Sequence, residues 1–442
     1  MNGATGKLNV LLLVVEPRAS AANTMRDHIA ALCSKSIHRV WKLQNHLALR
    51  GPFWGFIGTL PPRYPLEKFD AMVVHYSNYM ALPHHFDSRS RQRIRQYRGL
   101  KVAFIQDEYR TVDATVAALR EMEFDILFTC VPEAEVENVY PAAKLPGLRK
   151  VSTLTGFVPE DLLHVRVPPL SQRPVDVGYR ARVVPYWLGQ LGAEKWQIGP
   201  RFSEAAKGSG LRLDVSVQEE DRLYGEQWTR FLLSCKAVLG VESGSSVFDF
   251  SGDLQREVGA YVAANPGATF EEVQRRFLAP YEGRIRLNQI SPRCFEAAAL
   301  RTAMVLYEGD YSGILEPGRH YVPLRKDLGN FEEVLDTLRR PDRLQEIADS
   351  AYREVALNPA YSYDAFVGEF DRVLAEEHAH RVADTARQRE RADPALLGVA
   401  ARAANLRPAF FGLMQELYAV LVPESIRRRL RPFLNRRTIL RT

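Results

Sequence analysis

The chain has 442 residues, 46% of them hydrophobic and 25% charged, enough for two domains of ordinary size and typical of a soluble globular protein. No apolar run approaches the ~18 residues of a membrane span, and four scattered cysteines without a Cys-x-x-Cys pair argue against a zinc site or disulfide framework and suit a reducing compartment. The net charge of +6 is local: seven arginines lie between Val422 and Thr442 against the single acid Glu424, so the body is near neutral and a nucleic-acid-binding body is not implied.

The first residues superficially resemble a signal peptide, with one lysine and a short apolar run. Glu16-Pro17-Arg18 follows that run at once, so Leu8–Val15 reads as a first buried strand. Helix is expected over Ala21–Cys33, strand over Ala71–His75, a strongly basic helix over Ser88–Tyr97 and strand over Lys101–Gln106. Helix then follows over Val112–Met122, strand over Ile126–Cys130, helix over Glu133–Tyr140 and strand over Val151–Leu154. This alternation indicates βαβ units and a parallel, doubly wound sheet. Function in such sheets sits just past the carboxyl ends of strands. His75, Asp107 and Glu108 fall there.

Residues 1–160 therefore form a first Rossmann-like domain, and the proline-bearing stretch 161–174 reads as a linker. Residues 175–360 repeat the pattern. Strand is expected at Val175–Tyr179, helix at Tyr186–Leu191, a further short segment at Lys195–Ile198 and helix at Ser203–Gly208. Strand Leu211–Val215, helix Glu226–Cys235 and strand Ala237–Val241 follow, the last running into Glu242-Ser243-Gly244-Ser245-Ser246. Residues 250–285 look like an insertion of about two helices. Helices at Phe331–Leu338 and Pro341–Glu354 end the domain. Residues 361–392 are read as crossover and linker helices, and 393–442 as a basic amphipathic tail.

Leu287–Leu324 reads as loop, helix, strand, glycine-broken loop, strand. Ser291 can cap the helix, with Pro292 in its first turn. Glu296 lies about one turn in, near amides without intrahelical partners, where a helix start can receive phosphate and a carboxylate can receive a sugar hydroxyl.

Two such domains with this late block resemble GT-B-fold, group-1 (family 4-like) glycosyltransferases, bacterial branches included. The resemblance rests on Asn288-Gln-Ile-Ser291-Pro-Arg293-Cys-Phe-Glu296-Ala297, continued by Gly313 to Leu324, and covers about 175–360. It implies transfer of a sugar from a nucleoside-diphosphate sugar, with the donor on the C-terminal domain and the acceptor on the N-terminal one. It also implies that the helices after Asp364 cross back. Glu296 aligns with the ribose-binding member of the family's Glu-x7-Glu pair. Asn288 stands where the other acid belongs, so either its amide or Glu242 serves the donor sugar. A basic pair is implied to neutralise the diphosphate, for which Arg180 and Arg182 are candidates, with Lys195 as a third; fixed cations stabilise a leaving phosphate without reorganising water.

The remaining donor-side candidates are Ser243, Gly244, Ser245, Ser291, Arg293, Gly309, Asp310, Tyr311, Ser312 and Gly313. His75, Asp107, Glu108 and Asn288 are the catalytic candidates, a base being required only for an inverting transfer. No Asp-x-Asp motif is present, so no obligatory metal and no cofactor beyond the sugar nucleotide are expected. Expected partners are the sugar nucleotide and a glycan or lipid-linked acceptor, in cell-surface polysaccharide assembly, without nucleic acid. The apolar stretch Pro408–Val422 followed by arginines suits an anionic membrane surface or docking on a protein equally, which gives a cytoplasmic location that extends to the inner face of the plasma membrane. A sugar-nucleotide epimerase or a non-catalytic binding protein of the same fold are the alternatives. A dehydrogenase is disfavoured, because the first strand lacks the G-x-G-x-x-G fingerprint.

Overall fold

A computed structural model describes residues 6–384, apart from 17–22, 46–48, 52–54, 58–59 and 62–63. The amphipathic, arginine-rich tail at 393–442 lies outside the described residues.

The first sheet is built from β1 (Asn9–Val14), β2 (Arg39–Gln44), β5 (Ala71–Val74), β6 (Leu100–Ile105), β7 (Ile126–Thr129) and β8 (Arg149–Ser152), all parallel, in the order 2-1-5-6-7-8. The short β3 (Leu49–Gly51) and β4 (Gly55–Ile57) form an antiparallel hairpin apart from it. Every residue of β1 is buried, as a central strand covered on both faces requires. Edge strand β2 has a single buried residue, Leu43, and its mixed polar sequence gives no strand signal; the sequence reading omitted it.

The second sheet orders β9 (Val175–Arg180), β10 (Leu213–Ser216), β11 (Cys235–Gly240), β14 (Ala303–Tyr307) and β15 (Val322–Leu324) as 10-9-11-14-15, again all parallel. A two-stranded antiparallel patch joins β12 (Ser243–Ser245) to β13 (Leu287–Gln289), pairing Gly244 with Asn288. Gly244 is required there, since a Cβ would lie 1.8 Å from the Leu287 carbonyl oxygen and its φ is +110°. The stretch 186–208 corrects the sequence reading. It holds one long helix, Gly189–Ala205, with Pro200 inside it, where three separate segments were expected.

The helix Tyr363–Asp384 crosses back to the first domain. Its Phe366, Val367, Phe370, Val373 and Leu374 join the core formed by Val10, Leu12, Ile29 and Phe104. Lys35–Asp364, Arg149–Glu376 and Arg381–Asp125 ion pairs fix its register. Two Rossmann-like domains closed by such a helix make the GT-B architecture.

Arg173 anchors the linker. It is 1% exposed and donates to Thr302 Oγ1 at 2.7 Å and to the carbonyls of Leu232, Cys235 and Leu300 at 3.2, 2.9 and 2.9 Å. The basic helix Ser88–Gln96 is also structural. Arg91 holds the Phe86 and Met80 carbonyls and Glu121, while Arg93 holds those of Pro61 and Tyr64.

The insertion is part of the domain seam. The segment leading into it bridges to the first domain, with the Asp249 amide donating to Tyr109 O at 2.8 Å and the Asp113 amide to Phe250 O at 3.0 Å. Helix Asp253–Ala264 and the turns after it pack Leu254, Val258, Phe270 and Val273 on Trp187 and Leu188. Gln289 Nε2 reaches Cys130 O at 2.7 Å and Thr155 Oγ1 reaches Ile290 O at 2.6 Å, tying the two domains behind the site. No helix among the described residues is long and apolar enough to cross a membrane.

Candidate functional site

A cavity of about 350 Å³ lies past the carboxyl ends of β9, β11 and β14. The helix Pro292–Ala299 points its start into it. Ser291 occupies the cap position with extended backbone, but its hydroxyl makes no capping hydrogen bond and lines the cavity instead. Asn23 and Thr24, at the start of a first-domain helix, close the opposite side. Arg180, Arg182, Lys195, Glu242, Ser243, Ser291, Arg293 and Glu296 all line this one space. Their common location follows from the parallel sheet, which brings every strand's carboxyl end to the same edge.

The cations differ in availability. Arg180 is committed to Asp214, with Nη2 2.6 Å from Oδ1, and stacks on Phe231. Its role as a diphosphate ligand is therefore weakened, and Arg293 fits better. Arg293 donates to the Arg180 carbonyl at 2.6 Å, lies over the Trp228 ring at 4.9 Å and has no acid partner among the described residues. Arg182 is exposed and makes no hydrogen bond or ion pair with the described residues. Among the described residues, Lys195 bonds only the Gly244 carbonyl, at 3.0 Å. Burial pushes its ammonium down to about 8, opposed by the charge of Asp107. Three cations without an acid partner among the described residues, around one cavity, make a receptor for an anion.

Two carboxylates line the same space. Glu296 is 8% exposed, and its Oε2 accepts the Trp228 indole N–H at 2.7 Å. Burial holds it up at about 7, against the pull of Trp228 and Arg293. Glu242 is 4% exposed and fully engaged with the chain: Oε1 accepts the amides of Asp310 and Tyr311 at 3.0 and 2.9 Å, and Oε2 accepts Asn288 Nδ2 at 2.6 Å.

That arrangement changes the reading of the Gly309–Gly313 loop. Gly309, Asp310, Tyr311, Ser312 and Gly313 do not line the cavity, because the loop amides turn towards Glu242. Tyr311 is fully buried and its hydroxyl donates to Tyr307 O at 2.6 Å; Ser312 Oγ donates to Gln289 Oε1 at 3.0 Å. Gly244 and Ser245 also lie off the cavity, Ser245 Oγ donating to backbone carbonyls of Leu188 and Val247. Asn288 faces Glu242 rather than the open space.

His75 is 0% exposed and away from the cavity. The Ser77 amide donates to its Nδ1 at 3.0 Å, which assigns the proton to Nε2, 3.1 Å from His28 Nδ1. Burial keeps both rings neutral, His28 being pushed down to about 3. Glu108 is buried against the Thr129 hydroxyl, and burial holds its carboxyl well above the ordinary value. Neither can reach a substrate in this arrangement. Asp107 is exposed on the first domain, with Oδ1 accepting Tyr109 OH at 2.8 Å and Oδ2 accepting Tyr79 OH at 3.3 Å. Among the described residues, no group of three His, Cys, Asp or Glu side chains is arranged to hold a metal ion.

Trp228, Tyr224, Leu223 and the Asn23–Thr24 helix start were missed by sequence reasoning. Trp228 carried no local signal, since only the fold sets it 68 residues away against Glu296.

No family model and no curated protein matches the sequence. Solved structures do resemble it in layout. An α-glucosyltransferase in complex with UDP-glucose and DNA containing an abasic site is 8% identical, with 84% of this chain and 100% of that chain covered and a TM-score of 0.49. HepE of Anabaena in complex with UDP and glucose is 10% identical over 84% and 100%, at 0.46. TarM is 12% identical over 69% of this chain and 54% of its own length, at 0.39. None of them assigns this chain a family or an activity.

Proposed function

We propose that the protein is a glycosyltransferase that takes a sugar from a nucleoside diphosphate sugar bound in the C-terminal domain. The observation that carries this reading is the cavity at the strand ends, where Arg182, Lys195 and Arg293 stand without acid partners among the described residues, around a helix start and the buried Glu296. The cations and helix amides suit a diphosphate, and Glu296 suits the hydroxyls of a ribose. The transfer joins an acceptor hydroxyl oxygen to the anomeric carbon and breaks the bond from that carbon to the diphosphate. Charge then grows on the leaving phosphate, next to cations already in place. The acceptor's proton must be taken up, and Asp107 is the candidate carboxylate that remains accessible on the first-domain face. The leaving-group charge is met by protein cations, so no metal is needed. The acceptor is a glycan or glycolipid in cell-surface polysaccharide assembly, reached at the cytoplasmic side of an anionic membrane through the 408–442 tail.

The test is thermal shift of the full chain with UDP, GDP, ADP and CDP, each alone and as its glucose conjugate. At least one should raise Tm, and Arg182→Ala should weaken that ligand about tenfold while leaving the ligand-free Tm unchanged, since Arg182 makes no hydrogen bond or ion pair with the described residues. If none of the eight compounds stabilises the protein, the donor-site reading is wrong.

A further inference from the structure

The insertion is anchored in the first domain at both of its ends. Helix Val112–Met122 of that domain opens without a cap of its own: Thr111 has left-handed backbone, φ +43°, and its side chain makes no capping hydrogen bond. The first amides of a helix have no intrahelical partner and must find one elsewhere. Those of Val112 and Asp113 donate to the carbonyls of Asp249 and Phe250, at 3.3 and 3.0 Å. The second domain thus caps a helix of the first. Asp249 carries the connection onwards, its carboxylate accepting the Gly252 and Gln255 amides, both at 2.8 Å, at the start of the insertion helix.

The side chains follow the backbone. Phe248, Ile285 and Leu287 share one buried cluster with Leu11, Val74, Val116 and Leu119 of the first domain. The chain that enters and leaves the insertion therefore has apolar side chains in the core of the opposite domain. On the exit side the Arg286 amide donates to Glu135 Oε1 at 3.3 Å, just ahead of the Gln289–Cys130 and Ile290–Thr155 contacts. Tyr109 and Arg110 lie against Trp187, at 5.9 and 5.5 Å. Linked domains move freely when their interface is small or polar. Here a hinge opening would draw three apolar side chains out of a core and leave two helix amides unpaired.

We infer that Phe248–Phe250 and Ile285–Ile290 form a fixed strap that holds the two domains as one rigid body, so that the cleft has its working width before any ligand enters and does not close on one. This holds whatever the cavity binds. Asp107 lies two residues from the strapped Tyr109, so its place relative to Lys195, whose ammonium feels its charge, is set by the same contacts.

Two measurements on the full chain test the strap. The first is hydrogen exchange without nucleotide, read by mass spectrometry with residue-level fragmentation. The Val112 and Asp113 amides should exchange within about tenfold of Ala117–Leu119 in the interior of the same helix, because strap and helix open together. Exchange faster than that, with Ala117–Leu119 still protected, would show that the strap releases and would overturn the inference. The second is the distance between nitroxide labels on Arg95→Cys and Lys207→Cys, one exposed on each domain, with the exposed Cys33 changed to Ser. A single narrow distribution is expected, unchanged by UDP, GDP, ADP or CDP. Two populations in the nucleotide-free chain, or a displacement beyond about 5 Å on adding any of the four, would reveal a hinge and likewise overturn it. The exchange rates and the nucleotide-free distribution decide the matter even if none of the four binds, in which case only the donor-site reading falls.

Discussion

Glu296 has a stability cost that can be measured without any ligand. An ordinary glutamate ionises near 4.5, while burial holds Glu296 near 7. Between those values the folded chain keeps a proton that the unfolded chain has released. Stability therefore falls as pH rises across that window, by about 1.4 kcal/mol per pH unit, and the full gap amounts to about 3 kcal/mol. Glu296→Gln removes the titration and keeps an oxygen for the Trp228 N–H. Its stability relative to the wild type should therefore climb by about 3 kcal/mol from below pH 4.5 to pH 8, most of it between pH 5 and 7. Urea denaturation of both chains at half-unit pH steps measures the difference. A difference that stays flat with pH would show that Glu296 is not held near 7, and the electrostatic picture of the cavity would fail with it. The same variant should lose tenfold or more in nucleotide affinity, because hydrogen bonds to a charged acceptor contribute about 1.5–3 kcal/mol. Hydroxyl donors favour the carboxylate, so wild-type affinity should also rise as pH climbs towards 7, and the variant's should not.

Two further expectations concern the frame. Arg173→Met leaves Thr302 and several buried carbonyls without their donor, and should cost about 3–5 kcal/mol by urea denaturation; a loss below ~1 kcal/mol would mean the linker does not depend on it. His28 is held near 3 against an ordinary 6.5, so the folded state binds fewer protons and stability falls as pH drops through that range. His28→Gln keeps an acceptor for His75 and should lose about 2 kcal/mol less than the wild type between pH 6.5 and 5, read from Tm against pH; parallel profiles would contradict the buried neutral pair.

The alternation of strand and helix was readable locally because the central strands are covered on both faces and must be apolar along their whole length. Leu8–Val15 and Ala237–Val241 have that signature. Arg39–Gln44 does not, because an edge strand is held by backbone hydrogen bonds to one neighbour and its side chains need not be apolar. The 189–205 helix was broken up by its glycines and Pro200, whose local preferences are overridden by packing on β9 and β10.

The sequence by itself determined the class of fold and the edge of the second sheet where the site lies. Strand periodicity is a local property, and a parallel sheet sends all its carboxyl ends to one side. Ser291, Arg293 and Glu296 are close in sequence on one helix turn, so their grouping was settled before folding. Only the tertiary structure decided what each polar group is free to do. Arg180 and Arg182 are two residues apart at the end of β9, yet one is spent on Asp214 and the other is unpaired among the described residues. Glu242 and Asn288 are 46 residues apart and meet at 2.6 Å, which turns an apparent gap in a motif into a carboxylate and its orienting amide. His75 and Asp107 both follow strands of the first sheet, and burial alone separates the sealed histidine from the accessible acid. Chain composition sets which groups are present. Desolvation and hydrogen-bond partners, which depend on residues far away in sequence, set which of them can meet a substrate.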